Sequence, residues 1–307
     1  MQNWILETKE LTRKFGNQTA VNAINLHVPK GRIYGLLGRN GAGKTTTLRM
    51  IMGLVKPTSG EIEIFGKNAQ KSAKQVYTRI GSIIETPGFY QNLTGSENLE
   101  ILARLRGIHR SDAVQYALSR VGLDKEPRKI VSQYSLGMKQ RLGIAAAIMH
   151  EPELLILDEP TNGLDPIGIQ EMRNFLVSLC EEKHVTIIIS SHILSEIEQL
   201  ANNIGIIHEG KLLEEITLEE LRKRNRKHVE FQVTNDKKAV MLMERHFGIS
   251  DYEVHEKGTI RVYSHLGEQG KLNKVFVEND IEVLKINTSE DKLEDYFVKL
   301  IGGGTIG

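Results

Sequence analysis

The sequence predicts an α/β protein in which a large domain, built on mostly parallel strands with a helical block set into it, precedes a small α+β domain. Three observations carry this. Short apolar runs alternate with helical patterns from about Ile5 to Leu221, the order that yields parallel sheets covered by helices. One such run leads directly into the glycine-rich stretch "GRNGAGKTT". Beyond Arg222 the pattern becomes strand, helix, strand, strand, helix, strand and a last helix.

A chain of 307 residues is long enough to give both domains a core. Forty Lys and Arg against 39 Asp and Glu leave a net charge of +1, which gives no general attraction to nucleic acid or anionic lipid. The single cysteine, Cys180, falls in an apolar helical pattern with Leu176 and Leu179 and reads as a reduced core thiol. No apolar run approaches the length of a membrane span, and "MQNWILETKE" lacks a signal-peptide pattern.

In order along the chain, Ile33–Leu37, Leu154–Leu157 and Val185–Ile189 are predicted strands, because continuous aliphatic runs mark strands buried on both faces. Thr94-Gly95-Ser96-Glu97 is a capping box opening a helix to about Arg106. The stretch from Thr94 to about Arg128 reads as mostly helical, within an inserted subdomain over about 94–150. Asp165-Pro166 supplies an N-cap and a proline at the first helical position. The first domain is placed at 1–221 and the second at 222–307, with the basic cluster Arg222–His228 as a solvated linker.

In the second domain the predicted strands are His228–Thr234, Tyr252–His255, Thr259–Tyr263 and Glu282–Ile286. The helices are Asp236–Phe247, Glu268–Glu278 and Glu290–Leu300. This order is that of a ferredoxin-like domain with an extra helix, and "GGGTIG" is expected to be a flexible tail.

The chemistry starts at Gly38 to Thr46, which fits G-x-x-x-x-G-K-[ST] between a strand and a helix. Gly38, Gly41 and Gly43 let the backbone curl, so that the N–H groups of this stretch, with Arg39, Asn40 and Ala42, face a phosphate at a helix N-terminus. Lys44 is expected to neutralise the β- and γ-phosphates, and Thr45 to ligate Mg²⁺ beside Thr46. "ELLILDEP" ends a buried strand in Asp158, placed to hold Mg²⁺, and Glu159, placed to orient or deprotonate an attacking water. Ser135, Leu136 and Gly137 open an apolar helix, and His192 follows a strand.

The order of phosphate loop, "SLGMKQ", "LILDEP", "NGLD" and "SSH" resembles the nucleotide-binding subunits of ATP-binding-cassette transporters over roughly the first 220 residues. The resemblance implies a P-loop nucleotide hydrolase fold and ATP with Mg²⁺ as cofactors. It also implies a head-to-tail dimer, a separate membrane permease, and a place at the cytoplasmic face of the membrane. Carried over, Ser135, Leu136, Gly137 and Met138 meet the γ-phosphate bound by the partner, Asp165 links the two sites, and His192 contacts the γ-phosphate. Leu136 departs from the family's usual glycine. An aromatic near the N-terminus stacks on adenine in this family, and Phe15 is the candidate, with ordinary strand packing as its plain alternative.

"IGSIIETPGFYQNLTGSENL", "YSLGMKQRLGIA" and the C-terminal "LEDYFVKLIGGGTIG" further resemble the ATP-binding proteins of bacitracin-export and lantibiotic-immunity transporters. Cargo follows from that resemblance alone. Glu85 stands where most of the family has a glutamine that ligates Mg²⁺, and is expected to be a metal ligand and coupling residue. Two other readings stay open: a soluble cassette ATPase acting on ribosomes or chromosomes, and an importer subunit with a ligand-sensing tail. The first lacks support from a second cassette or a long coiled-coil insertion; binding of an amino acid or metal by the tail would favour the second.

Overall fold

The computed structural model describes residues 4–85, 88–224, 227–290, 296, 297 and 300. It divides into two compact units, Met1–Leu218 and Glu219–Gly307.

The first unit is built on a six-stranded sheet in the order Lys211–Thr217, Asn203–His208, Ile33–Leu37, Thr186–Ser191, Leu154–Asp158, Ile80–Ile83. All neighbours are parallel except the first pair, which is antiparallel. Ile33–Leu37 is buried along its whole length, as its aliphatic run predicts for a central strand. Leu37 pairs with Ser191 and Asp158 with Ser190. The carboxyl ends of three strands therefore lie level, and everything that follows them emerges on one sheet edge, where open α/β sheets bind ligands.

A second sheet is antiparallel. Its long strand, Trp4–Phe15, pairs with Gln18–Ile24, His27–Pro29 and Ser59–Ile64. Between the sheets lies the helix Lys44–Ile51, whose Leu48, Met50 and Ile51 are buried among Leu6, Leu11, Ile62, Leu36 and Ile156. Each large aliphatic side chain so buried contributes about 1.5–3 kcal/mol, so the helix that follows the phosphate loop is firmly anchored.

The helical block contains Gly95–Arg106 and Ala113–Arg120, packed with Leu136–Ile148. The capping box is formed: Thr94 Oγ1 accepts from Glu97 N–H at 3.2 Å, and Thr94 N–H donates to Glu97 Oε2 at 2.7 Å. The strand expected at Val185–Ile189 runs instead over Thr186–Ser191. Its polar end stays in the sheet because Ser190 and Ser191 are buried and use their hydroxyls inside the fold.

The second unit orders its strands Tyr252–His255, Thr259–Val262, Lys227–Val233, Val283–Glu290, all antiparallel. The helices Asp236–Phe247 and Gln269–Glu278 supply Ala239, Leu242, Met243, Leu272 and Phe276 to a core with Val229, Phe231, Ile260 and Val262. The last strand outruns the expected Glu282–Ile286, since Thr288 pairs with Val229 and Glu290 with Lys227; main-chain pairing continues where the side chains turn polar. Most of the helix expected over Glu290–Leu300, and the whole glycine-rich tail, lie outside the described residues. The cluster expected as a linker is structured where described: Arg222–Arg224 end the helix Leu218–Arg224 and His228 is buried in a strand.

Candidate functional site

The loop from Gly38 to Gly43 is shaped by its glycines. A Cβ at Gly38 would lie 2.4 Å from the Ile207 carbonyl oxygen, and Gly43, at φ 107°, caps the helix Lys44–Ile51 in a left-handed conformation. Lys44 is almost fully buried and turns back over the loop, its Nζ donating to Gly38 O at 2.7 Å. The same ammonium is 3.2 Å from Glu159 Oε1. One residue on, Thr45 Oγ1 donates to Asp158 Oδ2 at 2.8 Å.

Ser190 fixes the two acids. Its hydroxyl donates to Asp158 Oδ1 at 2.5 Å and accepts from Glu159 N–H at 3.0 Å. Glu159 has φ 46°, a conformation that non-glycine residues adopt at a cost and that concentrates at functional sites. Its Oε2 lies 3.2 Å from His192 Nδ1. Gly38–Thr46, Asp158, Glu159 and His192, read separately from the sequence, thus converge on one sheet edge.

Two cavities open there. One, of about 630 Å³, is lined by Phe15, Asn40, Gly41, Lys44, Thr46 and Glu159 among others, within the range of small-ligand pockets. Phe15 is half-exposed on it, with the Arg13 guanidinium 4.3 Å from the ring centroid. The other, of about 540 Å³, is lined by Glu85, Leu136, Lys139, Asp158 and, shared with the first, Thr45 and Glu159. Thr45 and Asp158 offer two hard oxygen donors side by side, which suits Mg²⁺: this ion takes one or two protein oxygens and completes its shell with phosphate and water.

Glu85 follows the strand Ile80–Ile83, has φ 73°, and pairs through Oε1 with Arg49 Nη2. Its loop dipeptide, Pro87-Gly88, is only half within the described residues. Ser135 caps the helix Leu136–Ile148 by accepting from Met138 N–H, and Asp165 caps Pro166–Lys183 by accepting from Gly168 N–H at 2.9 Å. Leu136 is half-exposed and lies over Gly163, where a Cβ would come within 2.7 Å of its Cδ2. Ser135, Gly137, Met138 and Asp165 line neither cavity of the single chain.

Sequence reasoning missed Ser190, although "SSH" contained it, and Arg49, which carried no signal beyond lying one turn after Thr45. It also missed Gln140, which borders the second cavity and donates to Asn162 O at 2.8 Å. No described helix is long and apolar enough to cross a membrane.

The sequence pattern of the ABC transporter family matches residues 21–162. The chain is 65% identical to the bacitracin transport ATP-binding protein BcrA of Bacillus licheniformis over 99% of each chain. To the protein of the same name from Enterococcus faecalis it is 57% identical, over 100% of this chain and 99% of that one. Among solved structures it is similar to a dimeric post-hydrolysis state of the ATP-binding cassette MJ0796 bound to ADP and Pi, with a TM-score of 0.62 and 25% identity over 69% of this chain and 98% of that one.

Proposed function

Because this chain belongs to the ABC transporter family as one of its ATP-hydrolysing ATP-binding subunits, we propose that it drives a separate membrane permease that exports bacitracin or a related peptide antibiotic. The observation that carries the cargo is similarity along the whole chain, at 65% and 57% identity, to two bacitracin transport ATP-binding proteins. The protein works at the cytoplasmic face of the membrane, peripherally, and protects the cell that carries it.

In this reading the amides of Gly38–Thr46 cradle the phosphates and Lys44 neutralises the β- and γ-groups. Phe15 offers its ring face to adenine. Thr45 and Asp158 hold Mg²⁺ with Glu85 nearby; the ion supplies positive charge to the phosphate oxygens. Lys44 exchanges Glu159 for phosphate when ATP enters, which frees the Glu159 carboxylate to orient and deprotonate water for in-line attack. His192, 3.2 Å from that carboxylate, steadies it and reaches the γ-phosphate. Attack of water on a γ-phosphoryl group needs placement and electrostatic stabilisation more than covalent help.

A second copy completes each site head to tail, bringing Ser135, Leu136, Gly137 and Met138 to the partner's γ-phosphate, with Asp165 between the two sites. The exclusion of Ser135, Gly137, Met138 and Asp165 from both cavities of one chain and the dimeric state of the similar cassette support this. We also read the second unit as ferredoxin-like: its strand, helix, strand, strand, helix, strand order, with the first strand between the third and the fourth, supports that assignment.

Co-expression with a candidate permease in a bacitracin-sensitive host, scored across peptide antibiotics, tests the cargo. Raised bacitracin tolerance that disappears in Lys44→Ala is the expected result. Purified protein that hydrolyses ATP while tolerance stays flat overturns the cargo and leaves the ATPase.

A further inference from the structure

A single helix supplies a partner to each of three acids. Glu85, Asp158 and Glu159 line the same 540 Å³ cavity. Lys44 pairs with Glu159, Thr45 with Asp158, and Arg49 with Glu85, and all three partners lie on Lys44–Ile51. The first two are the groups that a triphosphate and its metal ion take over. Arg49 has no such second duty: its guanidinium is bound to the one acid that is more than half exposed, at 65%.

Three carboxylates around a binding site for a polyanion repel it unless they are neutralised. We propose that Arg49 is a positioning residue: it cancels the Glu85 charge and holds that side chain at a fixed distance from the metal position, so the cavity accepts a nucleotide despite its third acid. This rests on the reading of Glu85 as part of the nucleotide site. Geometry supports a restraining role, since Glu85 sits at φ 73° just past the edge strand Ile80–Ile83, where its backbone alone does not favour the pose. Arg49, by contrast, is anchored: its carbonyl accepts from Leu54 N–H at 2.9 Å and Val55 N–H at 3.2 Å.

The charge count makes opposite predictions for the two single variants. Arg49→Gln leaves one uncompensated negative charge, and Glu85→Gln one uncompensated positive charge. The double variant is balanced again. With a partly screened charge near the phosphates, each single change is worth about three- to tenfold in affinity.

The test is equilibrium binding of a fluorescent ATP derivative to the full-length protein, first in chelator and then across a Mg²⁺ titration. Arg49→Gln is expected to weaken metal-free binding about three- to tenfold and to lower the Mg²⁺ concentration at half-saturation, because Glu85 is released toward the ion. Glu85→Gln is expected to strengthen metal-free binding, and the double variant to return to the parent value. Arg49→Lys, which keeps the charge, is expected to stay near the parent. A double variant as weak as Arg49→Gln alone means that Arg49 acts by packing, and overturns the proposal; so does an Arg49→Gln protein indistinguishable from the parent. A parent protein that binds no ATP derivative instead defeats the functional reading itself.

Discussion

Lys44 Nζ lies 3.2 Å from Glu159 Oε1, joining the cation of the phosphate loop to the acid that follows the strand Leu154–Asp158, with the lysine side chain only 4% exposed. Without nucleotide, each neutralises the other. A ligand that claims the lysine thereby changes the state of the acid.

Two substitutions separate these roles. Glu159→Gln removes the competitor for Lys44 and keeps the shape of the side chain, so affinity for ATP is expected to hold or increase while phosphate release falls by about 10²–10⁴-fold, the range for loss of a positioned base. Lys44→Ala is expected to lose nucleotide binding and turnover together. Near-normal phosphate release by purified Glu159→Gln protein removes Glu159 as the base.

Gly38 tests how far the loop depends on contact with the sheet edge. A Cβ there meets the Ile207 carbonyl oxygen at 2.4 Å and Ala42 Cβ at 3.1 Å, and a backbone oxygen at a strand end has little room to move. Gly38→Ala is expected to cost about 1–3 kcal/mol, to lower the melting temperature accordingly, and to abolish ATP-derivative binding. Parent-like melting and binding would show that the strand ends yield more easily than this packing implies.

Much of this site was legible in the sequence, for a reason visible in the residues. Gly38–Thr46 and Asp158-Glu159 are contiguous stretches whose chemistry depends on local backbone, so reading them in order suffices. Arg49 and Ser190 act through space: each meets its acid only because the sheet order places Ile80–Ile83 and Thr186–Ser191 on either side of Leu154–Asp158. Nothing in their own neighbourhoods announces this. The fold shows the same division. Helices with explicit caps, at Thr94 and Asp165, began where expected, whereas the strands ending in Ser191 and Glu290 outran their apolar runs, because pairing with a neighbour, and not side-chain character, decides where a strand stops.

The cap at Thr94 makes a stability prediction. Its hydroxyl accepts from Glu97 N–H and its own N–H is satisfied by Glu97 Oε2, so Thr94→Ala leaves a helix N–H without its acceptor. The expected loss is about 1 kcal/mol, or about 2–4 °C in the transition of a domain of this size by differential scanning calorimetry. ATP turnover is expected to persist, since the cap touches no phosphate-loop residue. An unchanged melting temperature would mean that water replaces the cap fully.

The last prediction concerns pH and His150. Its Nε2 lies 3.1 Å from Ile80 O, the position of a donor, while Nδ1 is buried without a hydrogen-bond partner; the neutral ring fits this site and the charged ring does not. Burial, reinforced by the nearby Arg106 guanidinium, holds the histidine below its ordinary pKa, with the Ile80 carbonyl opposing in part. As the pH falls below about 6.5, an unfolded chain takes up a proton at this position that the folded chain refuses. Stability is therefore fully present above that pH and declines below it, until the folded form also protonates. Glu97, whose pKa is lowered chiefly by the Thr94 backbone N–H, follows the same sign only below the carboxylate range, about pH 4.3, and does not interfere. Thermal melts from pH 7.5 to 5 are expected to show the parent losing more stability than His150→Gln, whose amide can still donate to Ile80 O but cannot titrate. Parallel curves for the two proteins would assign the acid sensitivity to other groups.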